Sequence, residues 1–168
     1  MKIAVFSDSH DHVWNLRKAV EQAGKAGVSE IIHCGDLVSP FLMEEFDRFN
    51  GHVHLIYGNN MGDPELLNMR IQERRDKVTF HAWMGEISRG NRSIGFIHDP
   101  RIAMKLARSG DYDLVCFGHT HLRHMEKVGA CFLLNPGAIL GNKEAASWAI
   151  IDTDSMEISH VFLDEQHA

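Results

Sequence analysis

The stretch KIAVFSDSHDHVWNLRKAVEQAGKAGVSEIIHCGD, residues 2–36, carries the reading of the fold. Lys2–Phe6 is a short apolar run fit for a buried strand. Val13, Leu16, Val20 and Ala23 then recur at helical spacing, with Lys18, Glu21, Gln22 and Lys25 on the other face. Gly24 and Gly27 mark the end of that helix, and Glu30–Cys34 is a second apolar run. Two strands joined through a helix are what a parallel sheet requires, because parallel neighbours cannot be linked by a tight turn.

The pattern continues on both sides. Val53–Tyr57 is a third run. Ser39-Pro40 and Asp63-Pro64 each offer an N-cap followed by Pro at the first helical position, so a helix is expected after each, with Glu44 and Glu45 near the positive end of the first. Beyond residue 78 the character changes. Val78–His81, Glu86–Ser88, Ser93–His98, Leu114–Phe117, Leu122–Lys127, Cys131–Leu134, Ser147–Ile151 and Ser155–Phe162 read as strands with short turns, mostly antiparallel. One more helix starts at Asp99-Pro100, buries Ala103, Leu106 and Ala107, and ends before Gly110. No repeat or linker interrupts the chain. The expectation is an α/β fold in one domain over residues 1–168, two sheets packed together with helices outside, and a frayed tail at Asp164–Ala168.

Composition narrows the function classes. The chain has 168 residues, 44% of them hydrophobic, which excludes bulk disorder. Seventeen Lys and Arg against 23 Asp and Glu give a net charge of −6, unsuited to non-specific gripping of nucleic acid. No stretch is long enough for a membrane span or a signal peptide. Cys34, Cys116 and Cys131 are odd in number and form no CxxC pair, so neither a disulfide framework nor structural zinc is expected. A reducing cytoplasm is the natural setting. A homo-oligomer is compatible with the sequence.

Twelve histidines ask for an explanation. Asp8 and His10 follow strand one, Gly35-Asp36 strand two, and Gly58-Asn59-Asn60 strand three; His98 ends a later strand, and Gly118-His119-Thr120-His121 follow another. Ligands of open α/β sheets bind outside the carboxyl ends of the strands. These ends would therefore bring Asp8, His10, Asp36, Asn59, His98, His119 and His121 to one rim. In Asp8-Ser9-His10 and His119-Thr120-His121 the outer residues point the same way if the backbone is extended. Carboxylate with imidazole suits Mn²⁺, Fe²⁺, Zn²⁺ or Ni²⁺ far better than Ca²⁺. Seven donors exceed one tetrahedral ion, and two ions roughly 3.5–4 Å apart can clamp the oxygens of a phosphoryl displacement. The residues by themselves read as a two-metal hydrolase of phosphate esters.

The ordered set DSH, GD, GNN, H, GHTH and NPG, from Met1 to about Ile151, resembles the calcineurin-like metallophosphoesterase superfamily, and most of all its small prokaryotic phosphodiesterases. The resemblance implies a four-layer αββα sandwich of two mixed sheets flanked by helices. It implies two divalent ions, Mn²⁺ first, one held by Asp8, His10 and His121 and the other by Asn59, His98 and His119, with Asp36 bridging. A bridging water or hydroxide would attack small phosphate esters, nucleotides among them. Asn135-Pro136-Gly137 would support the histidines. Asn60 stands where larger members have a His that helps the leaving group; Asn can hydrogen-bond a phosphate oxygen but cannot pass a proton. His12 is the substitute acid the sequence offers. The alternative is a non-catalytic interaction scaffold resembling the retromer subunit of the same fold, in which residues around the site are altered.

The remaining polar residues read as structural. Asp63 and Asp99 are helix N-caps, and Arg101 lies on a solvated helix face. His33, His52, His54, His81, His124, His160 and His167 lie outside the strand-end set. Cys34 belongs to the core, and core packing is the default for Trp14, Trp83 and Trp148.

Overall fold

The computed structural model describes residues 1–163, so the expected fraying of Asp164–Ala168, and His167 with it, lies outside the described residues. β1 (Lys2–Phe6), β2 (Glu30–His33), β3 (His52–Leu55) and β4 (Val78–Phe80) run parallel in one sheet. α1 (Val13–Lys25) joins the first pair and α2 (Pro64–Gln72) the last. β5 (Met84–Arg89), β6 (Arg92–Ile97), β7 (Leu114–Cys116), β8 (Arg123–Val128) and β9 (Cys131–Pro136) form the second sheet, in the order β5-β6-β7-β9-β8. β10 (Ser147–Asp152) and β11 (Glu157–Phe162) return to the first sheet, where β10 pairs antiparallel with β1.

The period-2 alternation of β1 explains the layers. Ala4 and Phe6 face the helical side with Leu16, Ala19, Phe46 and Trp148. Ile3 and Val5 face the other way, against Ile94, Phe96, Leu114 and Leu134 of the second sheet. Ala103 and Ala107 of α3 (Pro100–Ser109) cover the far face of that sheet with Val115, Phe117 and Leu133. The result is the four-layer αββα sandwich of two mixed sheets. The core side chains are almost fully buried, each contributing about 1.5–3 kcal/mol relative to exposure.

Several local expectations change. The second half is mostly antiparallel, but β6, β7 and β9 are parallel neighbours: α3 makes the crossover between β6 and β7, and the chain passes through β8 between β7 and β9. Pro40–Arg48 winds as a 3₁₀ helix, and the Ser39 side chain makes no cap bond. Glu45 is buried there and takes a bidentate pair from Arg17 at 2.8 Å, so it locks the 3₁₀ helix to α1 instead of serving a dipole. Asp63 and Asp99 do cap α2 and α3, accepting from Leu66 N at 2.9 Å and Arg101 N at 2.7 Å. Of the tryptophans only Trp148 is core; Trp14 and Trp83 are exposed. All three cysteines are free and buried.

Candidate metal centre

The strand ends converge. Asp8 N donates to Gly35 O at 3.0 Å and His10 N to Asp36 O at 3.1 Å, so the chain beyond β1 runs alongside the chain beyond β2. Ile139 N and Leu140 N close over the carbonyls of Ser7 and Asp8, both at 3.0 Å. His119 N donates to the Asp8 carboxylate at 3.0 Å and so brings the loop after β7 onto the loop after β1.

The ligand-bearing turns are not extended. Asp8, His10, Asp36, His119 and His121 have φ of +53°, +41°, +56°, +69° and +61°. Left-handed backbone costs an L-residue about 1 kcal/mol. Strained turns aim the paired residues: Asp8 and His10 still reach one donor group, 3.8 Å apart, but His119 and His121 do not project together as they would along a strand. His121 Nε2 meets Asp8 and His10, whereas His119 turns away to Asn59. Gly118 and Gly58 leave room for this. A Cβ on Gly118 would overlap Ser7 Oγ, and one on Gly58 would overlap the Asp36 carboxylate.

Two groups of donors result. In the first, His10 Nε2 lies 3.2 Å from His121 Nε2, and His121 Nε2 lies 3.3 Å from Asp8 Oδ1. In the second, Asn59 Oδ1 sits 2.9 Å from His98 Nε2 and 2.7 Å from His119 Nδ1. Asp36 lies between, with Oδ2 3.3 Å from His10 Nε2 and Oδ1 3.5 Å from His98 Nε2. Asp8, His10 and His121, and likewise Asp8, Asp36 and His98, each present ligand atoms within 4.8 Å of one another. Buried carboxylate oxygens, imidazole nitrogens and one amide oxygen aimed at a common volume fit divalent cations with mixed oxygen and nitrogen ligation.

Electrostatics agree with that fit. Burial opposes the charge on Asp8, but hydrogen bonds with His10 and His121 and the charge of His98 hold its carboxyl well below the usual carboxylate range. Burial also opposes the charge on Asp36, yet His98 and Asn60 keep its carboxyl lowered. His98 is raised, burial being outweighed by Asp36 and Asp8; His121 is raised, chiefly by its hydrogen bond to Asp8.

Supporting groups fix the ring orientations. His98 Nδ1 donates to Cys34 O at 2.8 Å, which leaves Nε2 facing the centre. Asn142 Oδ1, 2.7 Å from His121 Nδ1, does the same for His121. Asn142 was not singled out from the sequence, although Gly141-Asn142 repeats the Gly-Asn pattern of another turn. Asn135 Nδ2 donates to Gly118 O at 2.9 Å and Thr120 Oγ1 at 3.1 Å, bracing the histidine loop. His33, read as structural, is fully buried beneath the site, 3.1 Å from Ser9 Oγ.

Two residues have unexpected partners. Asn60 spends its backbone N–H and its side-chain amide on Asp36, at 2.8 and 2.6 Å. His12 is the N-cap of α1, its Nδ1 accepting from Asn15 N at 3.2 Å. A ring protonated on both nitrogens has no lone pair for that N–H, so capping competes with any acid role.

The family model for the calcineurin-like phosphoesterase superfamily domain matches residues 1–156. A phosphodiesterase from Methanocaldococcus jannaschii is 34% identical over 166 residues, covering 98% of this chain and 100% of that protein. Vacuolar protein sorting-associated protein 29 from Schizosaccharomyces pombe is 30% identical, covering 100% of this chain and 87% of that protein. The solved structure of an archaeal phosphodiesterase superposes with a TM-score of 0.90 at 32% identity, covering 97% of this chain and 100% of that one.

Proposed function

The chain belongs to the calcineurin-like phosphoesterase superfamily, and on that footing we propose that it is a metal-dependent phosphodiesterase acting on small phosphate esters. The observation that carries the reading is the Asp36 carboxylate, whose two oxygens face different halves of the donor set. Asp36 would bridge two ions, with Asp8, His10 and His121 on one and Asn59, His98 and His119 on the other. When bound, such ions supply an activated water and neutralise the phosphoryl oxygens. The protein's part is to hold the donors still. Cys34 O and Asn142 fix the free nitrogens of His98 and His121, and Asn60 fixes Asp36. Ligand geometry set before substrate arrives lowers the reorganisation needed during reaction.

Oxygen and nitrogen donors without thiolate accept Mn²⁺, Ni²⁺, Fe²⁺ or Zn²⁺, and the family resemblance puts Mn²⁺ first among them. Of the groups put forward beside the ligands, Asn60 acts through Asp36, and His12 is proposed as leaving-group acid only at the expense of its cap. We take residues 1–168 as one domain, since both sheets share the core between them. Three free, buried cysteines support a cytoplasmic setting. Among the described residues no helix is long and apolar enough to cross a membrane. The scaffold reading leaves the convergent donor set without a use.

The test is to strip the protein with a chelator, add back Mn²⁺, and follow hydrolysis of bis-p-nitrophenyl phosphate. Metal-restored turnover is expected. Folded protein that stays inactive with both Mn²⁺ and Ni²⁺ would overturn the reading and favour the scaffold.

A further inference from the structure

Trp83 is 56% exposed and Ile102 is 43% exposed, yet both line a cavity that reaches the candidate ligands Asn59, His98 and His119. The cavity has a volume of about 230 Å³. Pockets for drug-sized ligands run from about 300 Å³ upward, so this one suits one or two rings and not a long chain. Its walls are Tyr57, Trp83, Ile97 and Ile102, and Gly58 contributes no side chain.

The indole is held in place. Its ring lies 5.1 Å from that of Tyr57 at a 50° tilt. Tyr57 packs edge-on against Phe80 at 4.7 Å, and its hydroxyl accepts from Asn68 Nδ2 at 3.2 Å. The turn that delivers Trp83 passes through Ala82 at φ +59°, and Tyr57 N donates to Ala82 O at 2.6 Å. A strained turn, pinned to the end of β3, thus presents a large aromatic face to solvent beside the phosphate site. Burial of that ring in the core would normally be preferred.

The polar rim is largely spent. Asp99 already accepts from Arg101 N and Ile102 N, and from the Arg101 guanidinium. The walls therefore recognise a flat apolar ring by stacking and shape more than by its hydrogen-bonding edges.

We propose that this cavity is a ring-stacking subsite that takes the planar aromatic group of the ester, aryl or nucleobase, against Trp83 while the phosphate lies at Asn59, His98 and His119. The proposal rests on the phosphoesterase reading above and names the substrate class for that site: esters with an aromatic ring close to phosphorus. Discrimination between one base and another is expected to be weak.

The test compares dissociation constants of methyl phosphate, phenyl phosphate and adenosine 5′-monophosphate for the Mn²⁺-loaded protein by calorimetry. A ring-bearing phosphate should bind about tenfold tighter than methyl phosphate, in line with stacking energies. A gain for phenyl phosphate places the ring directly on the ester oxygen; a gain for the nucleotide places it one sugar away. Trp83→Ala should bring the ratio close to one, and Trp83→Phe should keep most of it. Trp14→Ala, at an exposed ring under Arg17 that does not line the cavity, should leave the ratio intact. If methyl phosphate binds but neither ring-bearing compound gains, or Trp83→Ala keeps the gain, the subsite is wrong and the phosphoesterase reading stands. If methyl phosphate itself fails to bind, that reading falls and takes the subsite with it.

Discussion

Asn60 holds both oxygens of Asp36, through its backbone N–H at 2.8 Å to Oδ1 and its side-chain amide at 2.6 Å to Oδ2. The clamp fixes the plane of the carboxylate, so its oxygens face the His98 side and the His10 side at once. Asn60, an amide that cannot pass a proton, serves here as a rigid brace.

Asn60→Ala removes the side-chain half of the clamp and keeps the backbone half. Mn²⁺ affinity should fall about 10–100-fold, the usual cost of losing a group that orients a ligand. Calorimetric titration checks this. An unchanged affinity would mean that the backbone N–H alone suffices.

Asp36→Ala removes a carboxylate whose two oxygens face the two halves of the donor set. Turnover of bis-p-nitrophenyl phosphate should drop by at least about a hundredfold, with the far-ultraviolet circular dichroism unchanged. An active Asp36→Ala protein would sink the two-ion assignment.

Gly58→Ala leaves every candidate ligand in the sequence. Its Cβ would nonetheless overlap the Asp36 carboxylate and come within 2.5 Å of Asp36 N. Overpacking of this kind costs about 1–3 kcal/mol. Both the melting temperature and Mn²⁺ affinity should fall; a variant with wild-type affinity would show that the loop after β3 yields freely.

His12→Ala separates the cap from the acid. Loss of an N-cap costs about 1 kcal/mol, visible in urea unfolding. The ratio of rates on good and poor leaving groups should stay the same, because His12 is committed to Asn15 N. A selective loss on poor leaving groups would instead establish His12 as the acid.

Burial pushes His33 down to about 4 from the ordinary 6.5, with smaller opposing and reinforcing effects from Asp8, His98, Asp36 and His10. The unfolded chain thus takes up a proton below about 6.5 that the folded protein refuses until about 4. Stability of the metal-free protein should fall as pH drops through that window, by up to about 3 kcal/mol from this group, and His33 should add nothing further below it. Urea unfolding of His33→Gln should show a shallower pH slope between the two values.

The parts of the fold and site readable in the sequence were those encoded locally. Asp63-Pro64 and Asp99-Pro100 mark their helices because the cap bond spans three residues. The seven candidate ligands stand out because each follows an apolar run at a strand end. Long-range choices were not readable. Nothing near β10 says that it returns to pair with β1, and nothing near β7 says that it pairs parallel with β6 on one side and β9 on the other. Asn142 and the Asn60 clamp depend on partners 21 and 24 residues away. The positive φ values are not legible either, because Asp and His, unlike Gly, do not advertise left-handed backbone.

Those strained turns have a consequence for substitution. At Asp8, His10, Asp36, His119 and His121 the donor and the strain reside in the same residue. Glycine at any of them would abolish a donor and relieve about 1 kcal/mol of backbone cost together. At the histidines, whose rings serve the donor set, the backbone cost is set against the chemistry; at Asp8 and Asp36 the carboxylates also tie the loops together through His119 N and Asn60. The three rim histidines are thus positions where glycine would ease the backbone and cost only the chemistry, whereas the two aspartates are fastened to the loops they organise.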